Sequence, residues 1–174
     1  VNLHEGHVGG GFGVRGELYP EDVLACVAAL RFKRAVKWIE DRRENLIACN
    51  HSRQQTHRIK AAIDNDGRIL GIEDEFFHDQ GAYVRTHGAT VPDLACAMLP
   101  GPYRVPAYRA IGHIRLTNKT PGGTYRAPGR FESTFVRERL LDAIAAKVGI
   151  SPIEARRRNM IAKAEMPYDA RLDT

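Results

Sequence analysis

The sequence predicts an α+β fold, in which helices pack on a mixed or antiparallel sheet in two layers. Helix and strand patterns are mixed along the chain, and two alternating segments flank Asn65-Asp66-Gly67, a sequence typical of a tight β-hairpin. An antiparallel hairpin in the middle of the chain favours α+β over a doubly wound parallel sheet. No repeat with a period of about 20–50 residues is visible. The 174 residues are enough for one domain with its own core.

The N-terminal part is predicted to contain a loop, a helix and a short strand. Residues 9–16 hold too many glycines for a helix or a central strand, because each glycine loses extra backbone entropy on folding. A helix is predicted over Pro20–Phe32, because Pro20 suits a first helical turn and apolar residues recur at helical spacing. Residues Ala35–Ile39 are predicted to form a short strand.

The middle of the chain is predicted to be a hairpin that occupies residues 56–83. Apolar and polar residues alternate on both sides of the turn, and the return strand starts at Arg68. A short helix over Asp93–Leu99 and a further strand over Tyr108–Asn118 follow.

The C-terminal part begins with a second loop, rich in glycine and proline, over residues 121–130. The clearest helix of the chain follows over Glu132–Lys147, and Gly149 ends it. Ser151-Pro152-Ile153-Glu154 predicts a capping box that opens a short basic helix. The C-terminal helices are therefore expected within residues 132–162.

Composition is that of an ordinary globular domain. Hydrophobic residues make up 43% and charged residues 27%, which argues against a long disordered chain. The 26 Lys and Arg against 21 Asp and Glu give a formal charge of +5. The longest apolar run, Val23–Leu30, is far shorter than the ~20 residues that a membrane span needs. The odd, widely spaced Cys26, Cys49 and Cys96 are typical of buried thiols in a reducing compartment and predict a cytoplasmic location.

Both ends of the sequence predict a piece cut from a longer chain. The first residue is Val1 rather than Met, and no charged leader with an apolar stretch follows it. The last residues, Tyr168-Asp169-Ala170-Arg171-Leu172-Asp173-Thr174, are a polar tail without a helix stop or a packed strand.

The glycine-rich loop is the most informative stretch for function. Three successive glycines, Gly9-Gly10-Gly11, let the backbone approach a ligand closely, and exposed amide groups can hold a phosphate or an oxo group. A purely structural turn explains the glycines equally well. Gly11, Gly13 and Gly16 formally match a dinucleotide-binding pattern. That interpretation is not favoured, because no apolar strand precedes the loop and the helix does not start until Pro20.

The second loop places Arg126 and Arg130 within a rigid segment, Tyr125-Arg126-Ala127-Pro128-Gly129-Arg130. An arginine held in this way can donate two hydrogen bonds to an oxyanion or a cofactor oxygen. Hydrogen bonds to local carbonyl groups are an equally good explanation of these arginines.

The histidines and the clustered basic residues give weaker indications of function than the two loops do. The seven histidines show no metal-binding spacing, so surface or strand positions are expected for them. Arg42-Arg43 and Arg156-Arg157-Arg158 are interleaved with acidic residues, which is typical of a solvated, salt-bridged face. A stand-alone basic α+β module that binds nucleic acid or another polyanion is kept as the alternative function.

Five stretches carry a family resemblance, in the same order along residues 9–159. They are Gly9-Gly10-Gly11-Phe12-Gly13; Val36-Lys37-Trp38-Ile39-Glu40-Asp41-Arg42-x-Glu44; Asp64-x-Asp66-Gly67; Thr117-Asn118-x-x-Pro121 with Tyr125-Arg126; and Glu138-Arg139-x-x-Asp142 with Arg156-x-x-Asn159. Together they resemble the molybdenum-binding large subunits of the xanthine dehydrogenase, aldehyde oxidase and carbon monoxide dehydrogenase family.

The resemblance implies that residues 1–174 are an internal fragment of a molybdopterin-binding domain. It implies a molybdenum–molybdopterin cofactor, in the plain or the cytosine dinucleotide form. Protein side chains in the family do not coordinate molybdenum, so no metal-ligating residue is assigned. The positions implied to contact the cofactor are Gly10, Gly11, Phe12, Gly13, Arg126 and Ala127.

The resemblance also implies hydroxylation chemistry in which water supplies the new oxygen atom. The family's general base is a glutamate in a Gly-x-Gly-Glu segment, and no such segment occurs in this sequence. No catalytic residue is therefore assigned, and the fragment is expected to be inactive alone. Partner subunits or domains that bind iron–sulfur clusters and FAD are expected to carry the electrons away.

Two departures from the family pattern narrow the range of expected substrates. Purine-oxidising members have a Lys-Glu pair after the first loop, where this chain has Val14-Arg15-Gly16. Members that oxidise carbon monoxide have a copper-binding cysteine at the position of Ala127. An aldehyde or an N-heterocycle is the expected substrate.

Overall fold

A computed structural model describes residues 2–52 and 54–170 of the chain. Val1 and the last four residues of the predicted polar tail lie outside the described residues. In chain order, the helices and strands of the described part are α1 (Pro20–Phe32), α2 (Arg42–Ala48), β1 (Gln55–Ile63), β2 (Ile69–Gly81), α3 (Thr90–Met98), β3 (Tyr108–Leu116), α4 (Arg130–Val148) and α5 (Pro152–Asn159).

The three strands form one mixed sheet in the order β1-β2-β3. Strands β1 and β2 pair antiparallel, with Ile59 opposite Asp74, whereas β2 and β3 pair parallel, with Asp74 opposite Ala110. The chain returns from β2 to β3 through α3, as a parallel pair requires. The predicted α+β class and the antiparallel hairpin are both confirmed.

The hairpin turn has a clear local cause. The Asp64 carboxylate accepts hydrogen bonds from the Asp66 amide at 2.9 Å and the Arg68 amide at 2.8 Å. Gly67 has φ 79°, a left-handed conformation that favours glycine. The side chain of Asp64 and the backbone of Gly67 together reverse the chain between β1 and β2.

One face of the sheet carries the core. Inward-facing residues of β2 pack against α4 and the end of α3, and α5 packs on α4. The buried Asn159 of α5 ties these layers together, because its Oδ1 accepts from the Ile69 amide at 2.7 Å and its Nδ2 donates to the Gly67 carbonyl at 2.9 Å. The main apolar cluster consists of Ile69, Ile72, Leu99, Tyr103, Leu141 and Ile144.

One prediction near the N-terminus was wrong, and one helix there was not predicted. Residues Ala35–Ile39 form no strand in the structure, because no other strand of the described part lies beside them. The helix α2 was missed. Its start is fixed by a reciprocal cap, in which Asp41 Oδ1 accepts from the Glu44 amide at 2.8 Å and Glu44 Oε2 accepts from the Asp41 amide at 2.9 Å.

Three smaller corrections concern helix ends and cysteines. Helix α3 starts at Thr90, three residues before the predicted start, with Pro92 in its first turn, where a missing amide is tolerated. Ser151 caps α5, accepting from the Glu154 amide at 3.1 Å, but the Glu154 carboxylate pairs with Arg158 instead of completing a capping box. Cys26 is exposed rather than buried, whereas Cys49 and Cys96 are half-buried.

Candidate cofactor site at the meeting of two loops

Two loops that are far apart in sequence lie against each other. We call residues 9–16 the first loop and residues 121–130 the second loop. The Phe12 carbonyl accepts a hydrogen bond from the Arg126 amide at 2.8 Å. The Gly13 carbonyl accepts a longer one from Thr124 Oγ1, at 3.3 Å. The fold therefore brings together both loops that the sequence singles out.

Both loops contain backbone conformations that are uncommon for L-residues. In the first loop φ is 51° at Phe12 and 86° at Gly13, and in the second loop it is 21° at Arg126 and 62° at Ala127. Positive φ at residues other than glycine costs of the order of 1–3 kcal/mol each and clusters at ligand sites. The pairing of such conformations across one contact favours a binding role over two ordinary surface turns.

The close approach of the loops depends on Gly13. A Cβ atom at Gly13 would lie 3.3 Å from the carbonyl carbon, the carbonyl oxygen and the Cβ of Thr124. Gly10 is restricted in a different way, because a Cβ there would lie 2.6 Å from Cε2 of the Phe12 ring. Glycine is thus needed at both positions for the observed loop geometry.

The outer surface of the contact offers hydrogen-bond donors. Phe12 is 57% exposed, and the Arg126 guanidinium carbon lies 5.8 Å from the centre of its ring. Within the described chain, the amides of Phe12 and Gly13 donate to no backbone carbonyl. These amides and the arginine head group suit an oxygen-rich, negatively charged ligand.

Helix α4 begins at the end of the second loop. The Phe131 amide donates to the Ala127 carbonyl at 3.2 Å, and the buried Gly129 has φ 69°. A Cβ at Gly129 would lie 2.5 Å from the Ala95 amide nitrogen and from the Val91 carbonyl oxygen of α3. Tight packing on α3 therefore fixes the second loop, and the positive end of the α4 dipole lies beside it.

The buried carboxylate of Glu17, directly after the first loop, forms hydrogen bonds that hold this loop in place. The Glu17 side chain is fully buried and accepts from Thr124 Oγ1 at 3.3 Å and from the His87 amide at 3.4 Å. His87 Nδ1 lies 3.6 Å from the same carboxylate. Glu17 thus links the end of the first loop to the second loop and to the segment after β2.

An aromatic and cationic cluster supports the same region. The Tyr19 hydroxyl donates to the Val14 carbonyl at 3.1 Å and accepts from the Asn50 amide at 3.3 Å. The Arg85 guanidinium donates to Asn50 Oδ1 at 3.1 Å, and its carbon lies 4.4 Å from the centre of the Tyr19 ring. Burial raises the pKa of the Tyr19 hydroxyl, which therefore stays protonated and available as a donor.

Buried polar side chains also form a row along β2 that reaches the second loop. Gln80 Nε2 donates to the Gly122 carbonyl at 2.8 Å, and the Gly122 amide donates to the Gln80 carbonyl at 2.7 Å. Further along, Gln55 joins His78, at 3.2 Å, to His57, at 2.9 Å. Burial lowers the pKa of His78, so this imidazole is neutral.

The row ends at a buried hydrogen-bonded contact between a histidine and an aspartate. His57 Nδ1 lies 2.7 Å from Asp74 Oδ2, and both side chains are almost completely enclosed. The His57 ring also stacks on Phe76, with 4.9 Å between ring centres.

Several polar atoms near the loops lack a protein partner. Within the described residues, buried side-chain atoms that form no hydrogen bond include Asn50 Nδ2, Asp74 Oδ1, His78 Nε2, Gln80 Oε1 and Arg85 Nε. Buried polar atoms without partners are costly unless water or a ligand satisfies them. An oxygen-rich cofactor with its bound water fits this region better than an apolar ligand does.

The structure gathers some of the predicted site residues and leaves others apart. Gly10, Phe12 and Gly13 lie at the loop contact with Arg126 and Ala127, whereas Arg130 starts α4 on the exposed side. Sequence analysis missed the side chains that hold the loops in place, namely Glu17, Tyr19 and Arg85. It also missed Asp74, His78 and Gln80 of β2, because the sequence does not show that these polar side chains face inward.

No cluster of metal-binding side chains and no membrane-spanning helix is found in the part of the chain that the structure describes. No group of three His, Cys, Asp or Glu side chains there is arranged to hold a metal ion. None of the described helices has the length and apolar character to cross a bilayer.

A family model described as the molybdopterin cofactor-binding domain matches residues 1–160 of the chain. The chain belongs to the molybdopterin cofactor-binding domain family. The predicted resemblance to molybdenum-binding large subunits is thereby confirmed.

Similar proteins carry this domain as part of longer chains. The 6-hydroxypseudooxynicotine dehydrogenase complex subunit gamma of Paenarthrobacter nicotinovorans is 47% identical over 99% of this chain and 22% of its own length. The nicotine 6-hydroxylase large subunit of the same organism is 38% identical over 92% of this chain and 20% of its own length.

The fold is also found in a solved structure, quinoline 2-oxidoreductase from Pseudomonas putida 86. It superposes with a TM-score of 0.88 at 38% identity, over 94% of this chain and 21% of that chain. The molybdopterin cofactor-binding domain seen here thus spans about a fifth of the length of these proteins.

Proposed function

We propose that this molybdopterin cofactor-binding domain is part of the large subunit of a molybdenum hydroxylase, which we call the parent enzyme. In this proposal the two loops form part of the cofactor surface, with Gly10–Gly13 on one side and Arg126 with Ala127 on the other. The observation that carries the proposal is the 2.8 Å hydrogen bond from the Arg126 amide to the Phe12 carbonyl, which joins the loops.

The residues of this chain would bind and orient the cofactor. The backbone amides of Phe12 and Gly13 and the Arg126 guanidinium would donate hydrogen bonds to its oxygen atoms. The buried Glu17 carboxylate would hold both loops in place through its hydrogen bonds. When bound, the molybdenum pterin supplies the two-electron redox chemistry that introduces oxygen from water at a carbon of the substrate.

We propose an N-heterocyclic aromatic compound as the substrate. Two similar proteins are named for nicotine and quinoline, which are both N-heterocycles. The absence of the Lys-Glu pair after the first loop argues against a purine. Ala127, in place of a copper-binding cysteine, argues against carbon monoxide.

The whole enzyme is proposed to work with partner subunits in the cytoplasm. The names of the relatives refer to a complex subunit and to a large subunit, which supports the presence of partner subunits. That these partners bind iron–sulfur clusters and FAD is proposed from the family resemblance. The three cysteines are free thiols, as a reducing compartment favours. The cofactor is proposed to be molybdenum–molybdopterin, in the plain or the cytosine dinucleotide form. The 174-residue chain is proposed to be inactive alone, because it contains no Gly-x-Gly-Glu segment.

A substrate panel on the purified parent enzyme tests the reaction. We expect molybdenum and pterin in the protein and oxidation of quinoline or nicotine faster than of an aldehyde, xanthine or carbon monoxide. In ¹⁸O-labelled water, the product should carry the label. Faster oxidation of an aldehyde than of either heterocycle, or label derived from dioxygen, would contradict the proposal.

A matched pair of variants tests the site. Arg126→Ala removes the guanidinium at the loop contact, whereas Arg157→Ala removes an exposed arginine of α5. We expect Arg126→Ala to lower the pterin content or the rate at least tenfold and Arg157→Ala to change neither by more than about twofold, since a charge-assisted hydrogen bond contributes about 1.5–3 kcal/mol. Equal losses in the two variants would refute the role given to Arg126.

The alternative of a polyanion-binding module is not favoured. Arg156 pairs with Glu138 at 2.8 Å and with Asp142 at 3.0 Å, and Arg158 pairs with Glu154 at 2.8 Å. These arginines are engaged within the protein, as the mixed charge pattern predicts, rather than presented as a basic patch.

A further inference from the structure

The Tyr19 hydroxyl joins the first loop to the segment that follows α2. It donates to the Val14 carbonyl at 3.1 Å and accepts from the Asn50 amide at 3.3 Å. Both partners are backbone groups, so one hydroxyl fixes the main chain on either side of it. Tyr19 is itself held at the start of α1, because its backbone amide donates to Asp22 Oδ2 at 3.0 Å.

The Val14 carbonyl is connected to the Phe12 amide through two peptide units of the first loop. In a trans peptide unit the carbonyl and the amide point in opposite directions, so a hydrogen bond that fixes the carbonyl also fixes the amide. The unit that contains the Val14 carbonyl includes the Arg15 amide, which donates to the Gly11 carbonyl at 3.2 Å. The unit that contains the Gly11 carbonyl includes the Phe12 amide. The Tyr19 hydroxyl therefore acts on the direction of the Phe12 amide without contacting it.

The segment that contains Asn50 is fixed to the second loop. The His51 amide donates to the Pro121 carbonyl at 3.3 Å, and the His51 carbonyl accepts from the Gly123 amide at 2.9 Å. Asn50 is only 4% exposed, and a Cβ atom at Gly123 would lie 2.7 Å from Asn50 Nδ2. The Asn50 amide and the second loop therefore move together, and the Tyr19 hydroxyl couples their position to that of the first loop.

Arg85 anchors both the ring of Tyr19 and the side chain of Asn50. Its guanidinium carbon lies 4.4 Å from the centre of the Tyr19 ring, and its Nη1 atom donates to Asn50 Oδ1 at 3.1 Å. A cation over the face of an aromatic ring is attracted by the negative charge of that face. A shared anchor keeps the Tyr19 hydroxyl beside the Asn50 amide.

We propose that Tyr19 is a positioning residue of the cofactor site. Its hydroxyl sets the direction of the Phe12 amide and keeps that direction matched to the position of the second loop. This inference rests on the proposed function, because the Phe12 amide is one of the donors proposed to bind the cofactor.

Removal of the hydroxyl is expected to misdirect this donor while the two loops stay together. The hydrogen bond from the Arg126 amide to the Phe12 carbonyl does not involve Tyr19, nor does the hydrogen bond from Thr124 to the Glu17 carboxylate. The cofactor should therefore remain bound, but with one hydrogen bond altered.

The variant Tyr19→Phe removes the hydroxyl and keeps the ring, and it is compared with the unmodified parent enzyme. We expect the Arg15 and Asn50 amides to exchange with deuterium about tenfold faster, because one hydrogen bond that holds each of their segments is lost. Pterin and molybdenum contents should stay within about twofold. After partial reduction with dithionite, the electron paramagnetic resonance spectrum of the molybdenum should have shifted g values, because a hydrogen-bond donor at the cofactor has changed direction.

The matched control is Tyr103→Phe. The buried Tyr103 belongs to the main apolar cluster, and its hydroxyl donates to the Glu138 carboxylate at 3.2 Å. This variant loses the same chemical group away from the loops. We expect unchanged exchange at Arg15 and Asn50 and unchanged g values, even where the melting temperature falls as much as in Tyr19→Phe.

Three results would overturn the role given to Tyr19. Unchanged exchange at Arg15 and Asn50 would show that the hydroxyl does not hold the junction. Faster exchange with unchanged g values would make Tyr19 a structural residue only. Equal shifts in g values in Tyr19→Phe and Tyr103→Phe would show that the shift follows from lost stability.

The unmodified parent enzyme reports separately on the proposed function. If it contains no pterin and no molybdenum, the cofactor site itself is contradicted, and the role of Tyr19 with it. Normal pterin and molybdenum in the unmodified enzyme, together with any of the three results above, would contradict the role of Tyr19 alone.

Discussion

At the scale of single residues, the site depends on backbone conformation more than on reactive side chains. Phe12, Arg126 and Ala127 have positive φ, and the contact between the loops is made by main-chain atoms of the first two. Holding such conformations costs of the order of 1–3 kcal/mol for each residue. Hydrogen bonds that the buried Glu17 carboxylate accepts from Thr124 and His87 help to offset that cost.

Gly13 gives a direct test at this scale. The variant Gly13→Val adds a Cβ where φ is 86° and where Thr124 is only 3.3 Å away. We expect a loss of about 1–2 kcal/mol in the stability of the loop contact, because a side chain disfavours this region of backbone space. The pterin content of the purified parent enzyme should fall accordingly, by up to about tenfold.

The matched control is Gly16→Val in the same loop. A Cβ at Gly16 would meet no atom within 4 Å, and its φ does not lie in the positive range. Pterin content should therefore stay within about twofold of the unmodified enzyme. If Gly16→Val lowers the pterin content as much as Gly13→Val does, the glycine requirement assigned to position 13 is incorrect.

At the scale of elements, Asp79 links the end of β2 to residues 117–119, which directly precede the second loop. Burial alone would raise the pKa of Asp79, but hydrogen bonds from Thr117, Lys119 and the Gly81 amide outweigh burial and lower the pKa to about 2. Thr117 Oγ1 lies 2.6 Å from Asp79 Oδ1, and Lys119 Nζ lies 2.9 Å from Asp79 Oδ2.

The lowered pKa predicts how this junction responds to acid. A carboxylate whose pKa is lower in the folded state stabilises the fold above its unfolded pKa, near 4, and this contribution disappears as the pH falls toward 2. The contribution is about 1–2 kcal/mol, so at pH 5 the Thr117 amide, which donates to Gly81, should exchange about tenfold faster in Asp79→Asn than in the unmodified protein. Hydrogen exchange measured from pH 5 to pH 2.5 should show this ratio shrinking toward one.

The control for that series is Asp66→Asn. Asp66 lies in the hairpin turn, where its backbone amide rather than its carboxylate forms the hydrogen bond to Asp64. Its effect on Thr117 exchange should be negligible at every pH. A ratio for Asp79→Asn that stays constant over the pH range would show that the carboxylate charge does not hold the junction.

Elements that depend on local patterns were predictable from sequence, and those that depend on absent or distant partners were not. The hairpin follows from Asp64 and Gly67, and α1 has the predicted bounds because Pro20 begins it. The strand at Ala35–Ile39 was wrong because a strand needs a neighbour that the described chain lacks. The buried row through His78 and Gln80 was missed because polar residues in a strand do not reveal which face they occupy.

At the scale of the whole molecule, the described chain contains a closed core and a region with exposed apolar surface. The sheet with α3, α4 and α5 has a closed core around Ile72 and Leu141, which positions the second loop. Helix α1 and the segment around Trp38 expose apolar surface instead. The two loops lie between these two regions, because the first loop precedes α1 and the second loop leads into α4.

The most direct test of the central claim is a crystal structure of the parent enzyme with its cofactor bound. The quantity to measure is the distance from the Phe12 and Gly13 amide nitrogens and the Arg126 guanidinium nitrogens to the nearest oxygen atom of the molybdenum cofactor. Our account predicts hydrogen-bond distances, about 2.7–3.2 Å, for at least one donor of each loop. A cofactor bound elsewhere, with both loops more than about 6 Å from all of its atoms, would contradict the account.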